Sequence, residues 1–176
     1  MKHAWWIAAA LAAAAILLTY DPKLYVDGDN VEYMFLARAV RSGDLWPPAK
    51  YPPLFPWLLA PVQWLFGMRL LPQKLLVTAF ALASLGFLAR LVRARNTPAA
   101  GPWVFWVAAT LVPVVEYSHY VMSEVPFLFF ALGALVACGR LGEEGAWRRE
   151  LRSRRVWFLA LWLAAAFYTR TAGLAG

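Results

Sequence analysis

LLPQKLLVTAFALASLGFLARLV, residues 70–92, decides how the chain is to be read. Its centre, Leu75–Ala89, carries no charge, and Lys74 and Arg90 stand at the two margins. Long basic side chains can lay their methylene stems along apolar surface and lift their charge to an interface. With both residues snorkelling in this way, the stretch exceeds the roughly 20 apolar residues that a membrane-crossing helix needs.

Five further charge-free runs follow the same logic: Ala4–Tyr20, Leu54–Met68, Pro102–Val115, Val125–Gly139 and Val156–Thr169. The whole composition agrees. Hydrophobic residues make up 62% of the 176 and charged residues 15%, whereas a soluble domain has about 45–50% and about 25%. Mean hydropathy is +0.54. Disorder and a soluble enzyme core are excluded, and the single cysteine, Cys138, gives no disulfide framework or thiolate metal site.

Leu54–Met68 differs from the other runs because Pro52, Pro53, Pro56 and Pro61 interrupt it. Proline removes backbone donors that hydrocarbon cannot replace, so this segment is expected to lie at the interface or to re-enter without crossing. Pro102–Val115 is expected to extend toward Met122, with Glu116 near its end. The expected fold is all-α and polytopic, with five spans, an outer amphipathic helix and a Pro-rich interfacial helix.

Positive charge orients such a bundle. With Met1 on the cytoplasmic side, ten of the seventeen Lys and Arg and three of the ten acids fall inside, which accounts for the entire net charge of +7. The outer side is neutral. The excess basicity therefore orients helices and gives no reason to expect nucleic acid as a partner. Cytoplasmic loops are expected at 90–101 and 140–155, and an outer loop at 21–53. Ala4–Tyr20 reads as an uncleaved first span, since cleavage after Ala13–Ala15 would fall inside the apolar run that continues through Ile16, Leu17 and Leu18.

The outer loop is the most polar part of the chain. After Asp27-Gly28-Asp29-Asn30, the residues Tyr33, Leu36, Ala37 and Val40 recur at i, i+3, i+4 and i+7, the signature of one helical face. Asn30, Arg38 and Arg41 are expected on the other face, and Ser42-Gly43-Asp44 supplies a stop. Asp29 with Glu32 three residues later fits a capping box. Glu124 heads the fourth span, where a carboxylate suits the helix dipole; Glu116 and His119 share the preceding turn, with His119 expected at the interface. Cations are expected on the outer side as well, among them Lys50, Arg69, Lys74 and Arg170. Acids and cations on one face are the parts that group transfer from an anionic lipid requires: a base for the attacking hydroxyl and positive partners for a phosphate leaving group.

Three stretches resemble the GT-C glycosyltransferases, the polytopic enzymes that include protein O-mannosyltransferases and the lipid A aminoarabinose transferase. They are Asp27-Gly28-Asp29-Asn30-Val31-Glu32-Tyr33 running on to Ser42-Gly43-Asp44, Lys50-Tyr51-Pro52-Pro53-Leu54-Phe55-Pro56, and Met122-Ser123-Glu124-Val125-Pro126-Phe127. The resemblance implies inverting transfer of a sugar from a polyprenyl-phosphate donor to an acceptor hydroxyl, on the outer face of the cell membrane. It assigns the base to Asp29, counted from Tyr33, with Asp27 as second choice. Glu124 would orient the acceptor or a divalent ion, Lys50 and Arg170 would contact phosphate, Tyr33 would join them in binding substrate, and Asp27, Asp29 and Glu124 are the candidate metal ligands. Members of the family are much longer, so the chain is expected to be the N-terminal portion of such a domain and inactive in isolation. A transporter or accessory membrane subunit without catalysis is the rival reading.

Overall fold

The central helix follows from the stretch that opens the sequence reading. In a computed structural model, which describes residues 2–21, 29–46, 51–139 and 154–170, it runs as one 26-residue helix, Leu70–Arg95. At 1.5 Å per residue that is about 39 Å, and among the described residues it is the one helix long and apolar enough to cross a membrane. In chain order the helices are α1 (Lys2–Leu18), α2 (Asp29–Arg41), α3 (Leu54–Phe66), α4 (Leu70–Arg95), α5 (Gly101–Ala109), α6 (Val112–Tyr117), α7 (Glu124–Cys138) and α8 (Arg154–Thr169). No strand occurs among the described residues.

α4 packs against α1, α3, α5 and α7, and α7 in turn carries α8. Burial in α1 falls on Ala8, Ala12 and Ile16, four residues apart and hence on one face. Val77, Ala81 and Leu85 do the same on α4. The α4–α7–α8 side is aromatic: Phe87, Phe129 and Phe130 each lie with ring centres 5.2–5.8 Å from Trp162. Gly133 admits that indole, since a Cβ there would collide with the Trp162 ring.

Helix ends gather in two groups. At one end Trp5 stacks on Phe105 with centroids 5.8 Å apart, and Arg93 lies 4.4 Å over the Trp5 ring. At the other, Lys74 Nζ donates to the Asp21 carbonyl at 2.6 Å, and Thr78 Oγ1 donates to the Ser118 carbonyl at 3.0 Å. The first group has Arg90, Arg93, Arg95, Arg154 and Arg155 and no acid among the described residues; the second holds Asp21, Asp29, Glu32, Asp44, Glu116 and Glu124. We refer to them as the basic end and the acidic end.

α2 lies on α3 at the acidic end and buries Tyr33, Met34, Leu36 and Ala37. Gly43, at φ 100°, ends it in a conformation that other residues rarely adopt. Asn30 departs from expectation: it is 5% exposed and shares the buried face. One helical turn brings position 30 beside 33 and 34, so the face that packs on the bundle is wider than the apolar letters alone indicate.

Two other expectations are corrected. The run Pro102–Val115 is not one helix: α5 closes at Thr110, whose N–H bonds the Trp106 carbonyl, Leu111 is extended at ψ 133°, and α6 restarts. Pro113 explains the break, because it has no N–H for the residue 109 carbonyl and its ring would clash there; in the first turn of a new helix neither matters. Lys74 does not snorkel either. It is 1% exposed, because its position on α4 faces α1 and the 118–119 turn, where the Asp21 carbonyl accepts its hydrogen bond.

Candidate active site at the acidic end

Asp29 and Glu32 both lie in the first turn of α2, where unpaired N–H groups and the positive end of the dipole favour carboxylates. Helix geometry therefore explains their presence. It does not explain what Asp29 binds: Asp29 Oδ1 accepts a hydrogen bond from the Tyr51 hydroxyl, 22 residues away. Tyr51 is brought there by the Pro52-Pro53 entry into α3, and its ring packs on Tyr33 with centroids 4.8 Å apart. Phe55, in the first turn of α3, meets Tyr33 edge to face at 4.9 Å.

Tyr33 joins this cluster to α7. Its hydroxyl donates to Ser123 Oγ at 2.9 Å, in a fully buried bond spanning 90 residues of sequence. The next residue is Glu124, whose Oε1 pairs with Arg170 Nη1 at 2.6 Å. Arg170 follows the last turn of α8, and its own N–H bonds back to the Ala166 carbonyl. Four of the residues singled out from sequence, Asp29, Tyr33, Glu124 and Arg170, thus meet at one end of the bundle. Asp27 and Lys50 lie outside the described residues.

The two tyrosines remain hydrogen-bond donors at any ordinary pH. Burial pushes the Tyr33 hydroxyl up to about 12; its bond to Ser123 works the other way, and the charges of Glu124 and Asp29 reinforce the rise. Desolvation raises Tyr51 as well, followed by its hydrogen bonds to Asp29 and Glu32. Since a tyrosinate beside a carboxylate is unfavourable, each O–H fixes the oxygen it faces. Glu124 Oε2 is buried without a hydrogen-bond partner among the described residues. A carboxylate oxygen left in that state calls for a donor from elsewhere.

The geometry bears on the metal expectation too. Among the described residues no three His, Cys, Asp or Glu side chains stand close enough to hold an ion. Of the three carboxylates proposed as ligands, Asp29 has one oxygen on Tyr51 and Glu124 one on Arg170. Among the described residues the groups around these carboxylates are a hydroxyl and a guanidinium, and Asp27, the third proposed ligand, lies outside them.

Tyr51 and Ser123 escaped the sequence reading as functional residues. Both lie inside the stretches that carried the family resemblance, but neither hydroxyl has a spacing that signals its partner. A second polar group sits beside the site, where His119 is 4% exposed. Its Nε2 lies 3.2 Å from both Thr19 Oγ1 and Ser118 Oγ, and its ring meets Tyr20 edge-on at 5.3 Å. This arrangement ties the end of α1 to the turn before α7 and so braces Ser123 and Glu124. No family model matches the chain, and no curated protein or solved structure matches it either.

Proposed function

We propose that the chain forms the catalytic end of a polytopic membrane glycosyltransferase, which moves a sugar from a polyprenyl-phosphate donor to an acceptor hydroxyl with inversion. The observation that carries this reading is the linked set Asp29–Tyr51–Tyr33–Ser123–Glu124–Arg170. It places a carboxylate suited to act as a base and a guanidinium suited to a phosphate at one end of an apolar bundle.

Membrane embedding is supported by the exposed side chains. Trp6 is 76% exposed, Trp103 70% and Trp157 71%, all in the first turns of helices that begin at the basic end. Trp46 and Trp64, at 63% and 76%, stand at the acidic end. Leu11, Leu75, Val107 and Leu161, between the tiers, are also exposed. Two tryptophan tiers flanking an apolar girdle match the aromatic belts at the two interfaces of a bilayer, and soluble monomers do not leave so much apolar surface in water. The all-arginine end then faces the cytoplasm and the acidic end the outer face.

In the reaction, Asp29 takes the proton of the acceptor hydroxyl as its oxygen attacks the anomeric carbon. The bond from that carbon to the phosphate oxygen breaks, and the polyprenyl phosphate departs with the electron pair. Tyr51 orients the base. Arg170 uses one N–H of its five on Glu124, which leaves a fork of donors for the phosphate. The unpartnered Oε2 of Glu124 receives a second hydroxyl of the acceptor.

A longer protein that contains this chain, purified into nanodiscs and supplied with a polyprenyl-phosphate sugar and an acceptor, tests this. Asp29→Asn is expected to reduce transfer by at least 100-fold, in the range for loss of a general base, with donor binding retained. Arg170→Gln is expected to weaken donor binding itself. Unchanged transfer in Asp29→Asn rules out the base, and unchanged donor binding in Arg170→Gln rules out the phosphate contact.

One observation favours a different class, a transporter or accessory subunit: the buried Lys74, Thr78 and Gln73 of α4. Polar side chains within a span commonly mark a pathway. If that reading holds, Lys74→Met alters solute flux in proteoliposomes while Asp29→Asn does not.

A further inference from the structure

At the basic end α4 and α7 part around a cleft of about 730 Å³, walled by Arg90 and Arg95 of α4 and by Leu135, Val136 and Cys138 of α7. Val136 also walls an adjoining cavity of about 270 Å³, which Arg155, Phe158 and Trp162 of α8 close from the other side. Among the described residues no acid lines either space. Arg93, between the two cleft arginines in sequence, lies over the Trp5 ring instead. Arg90 and Arg95 form no ion pair among the described residues.

We propose that this cleft binds the phosphate headgroup of an anionic phospholipid from the leaflet on the Met1 side. The inference rests on the membrane-embedded part of the proposed function and not on sugar transfer. Two guanidinium groups over a wall of Leu, Val and Cys suit an amphiphile: the planar N–H forks match phosphate oxygens, and the apolar wall takes the upper part of an acyl chain. A free inorganic phosphate would use the arginines and leave that wall in contact with water. The cleft also opens at the level of the Trp6, Trp103 and Trp157 tier, where headgroups reside. Basic pockets between helices on the cytoplasmic side hold anionic headgroups for these reasons.

The test is native mass spectrometry of the full chain released from nanodiscs of equimolar phosphatidylglycerol and phosphatidylcholine. Retained phosphatidylglycerol is expected to exceed phosphatidylcholine by roughly tenfold, and Arg90→Gln/Arg95→Gln is expected to abolish the preference. Arg154→Gln, which removes a charge from the same end outside the cleft, should leave the preference in place. Leu135→Trp fills the cleft without changing charge and should lower retention of the anionic lipid, which guards against a double variant that fails to fold. Equal retention of the two lipids overturns the proposal, as does a preference that survives both cleft variants. Thermal stabilisation of lipid-free protein by inorganic phosphate equal to that by phosphatidylglycerol assigns the cleft to free phosphate and also overturns it. Extraction of the wild-type chain from vesicles by alkaline carbonate overturns the membrane reading as a whole. Firm insertion without lipid preference removes this inference alone.

Discussion

Tyr33 shows how much one buried hydroxyl can report. Its folded value of about 12 lies above the ordinary 10.0, so the unfolded chain ionises first as pH rises. Stability from this residue is complete below pH 10 and is lost as pH climbs through 12, by on the order of 2–3 kcal/mol for a shift of that size. The expected outcome is a fall in Tm between pH 10 and 12 that is shallower in Tyr33→Phe than in the wild type. At neutral pH the same variant should cost about 1 kcal/mol for the lost bond to Ser123. Parallel pH profiles of the two proteins would show that Tyr33 is not held protonated. At this scale the sequence was legible only in part: Asp29, Tyr33, Glu124 and Arg170 could be named from residue type and expected side, whereas Tyr51 and Ser123 could not. Their partners lie 22 and 90 residues away, and no local period encodes such a distance.

Among the elements, α7 and α8 make the tightest approach, and it depends on Gly133. Any Cβ there meets the Trp162 indole, which Phe87, Phe129 and Phe130 hold from the other sides. Gly133→Leu should therefore destabilise by about 1–3 kcal/mol or more, as overpacking does, read as a drop in Tm in detergent. Trp162→Ala in the same chain should return part of that loss, and additive effects of the two changes would show that the residues do not press on each other. Helix α2 was readable because an amphipathic face in a polar loop stands out. The spans were harder. A run that is apolar all round gives no moment to say which side faces the bundle, so the inward turn of Lys74 was invisible. The break at Thr110–Leu111 was signalled by Pro113, yet an uninterrupted apolar run concealed it.

Over the whole molecule, the separation of five arginines from six acids along the bundle predicts the side on which each end resides. Cys138 is the one cysteine of the sequence and is exposed at the basic end. A membrane-impermeant maleimide should leave it unmodified in intact cells and label it in inverted vesicles. Labelling in intact cells would reverse the assigned orientation and move Asp29 to the cytoplasmic side. The strongly apolar character of the chain was the plainest thing in its sequence, since it rests on composition. The grouping of helix ends required the contacts between them, of which Lys74 with Asp21 and Trp5 with Phe105 are the most direct.

The ion pair between Glu124 and Arg170 also sets a clock on assembly. Asp29 and Arg170 are separated by most of the chain, which at about 5–20 residues per second takes on the order of ten seconds to synthesise. Late in that interval, once Glu124 has been made, a nascent protein has its candidate base, both tyrosines and that carboxylate, but lacks the guanidinium that would hold a phosphate. On the proposed function, the base and the phosphate grip are completed in a fixed temporal order, and donor lipid would be gripped only by a bundle in which α8 is already in place.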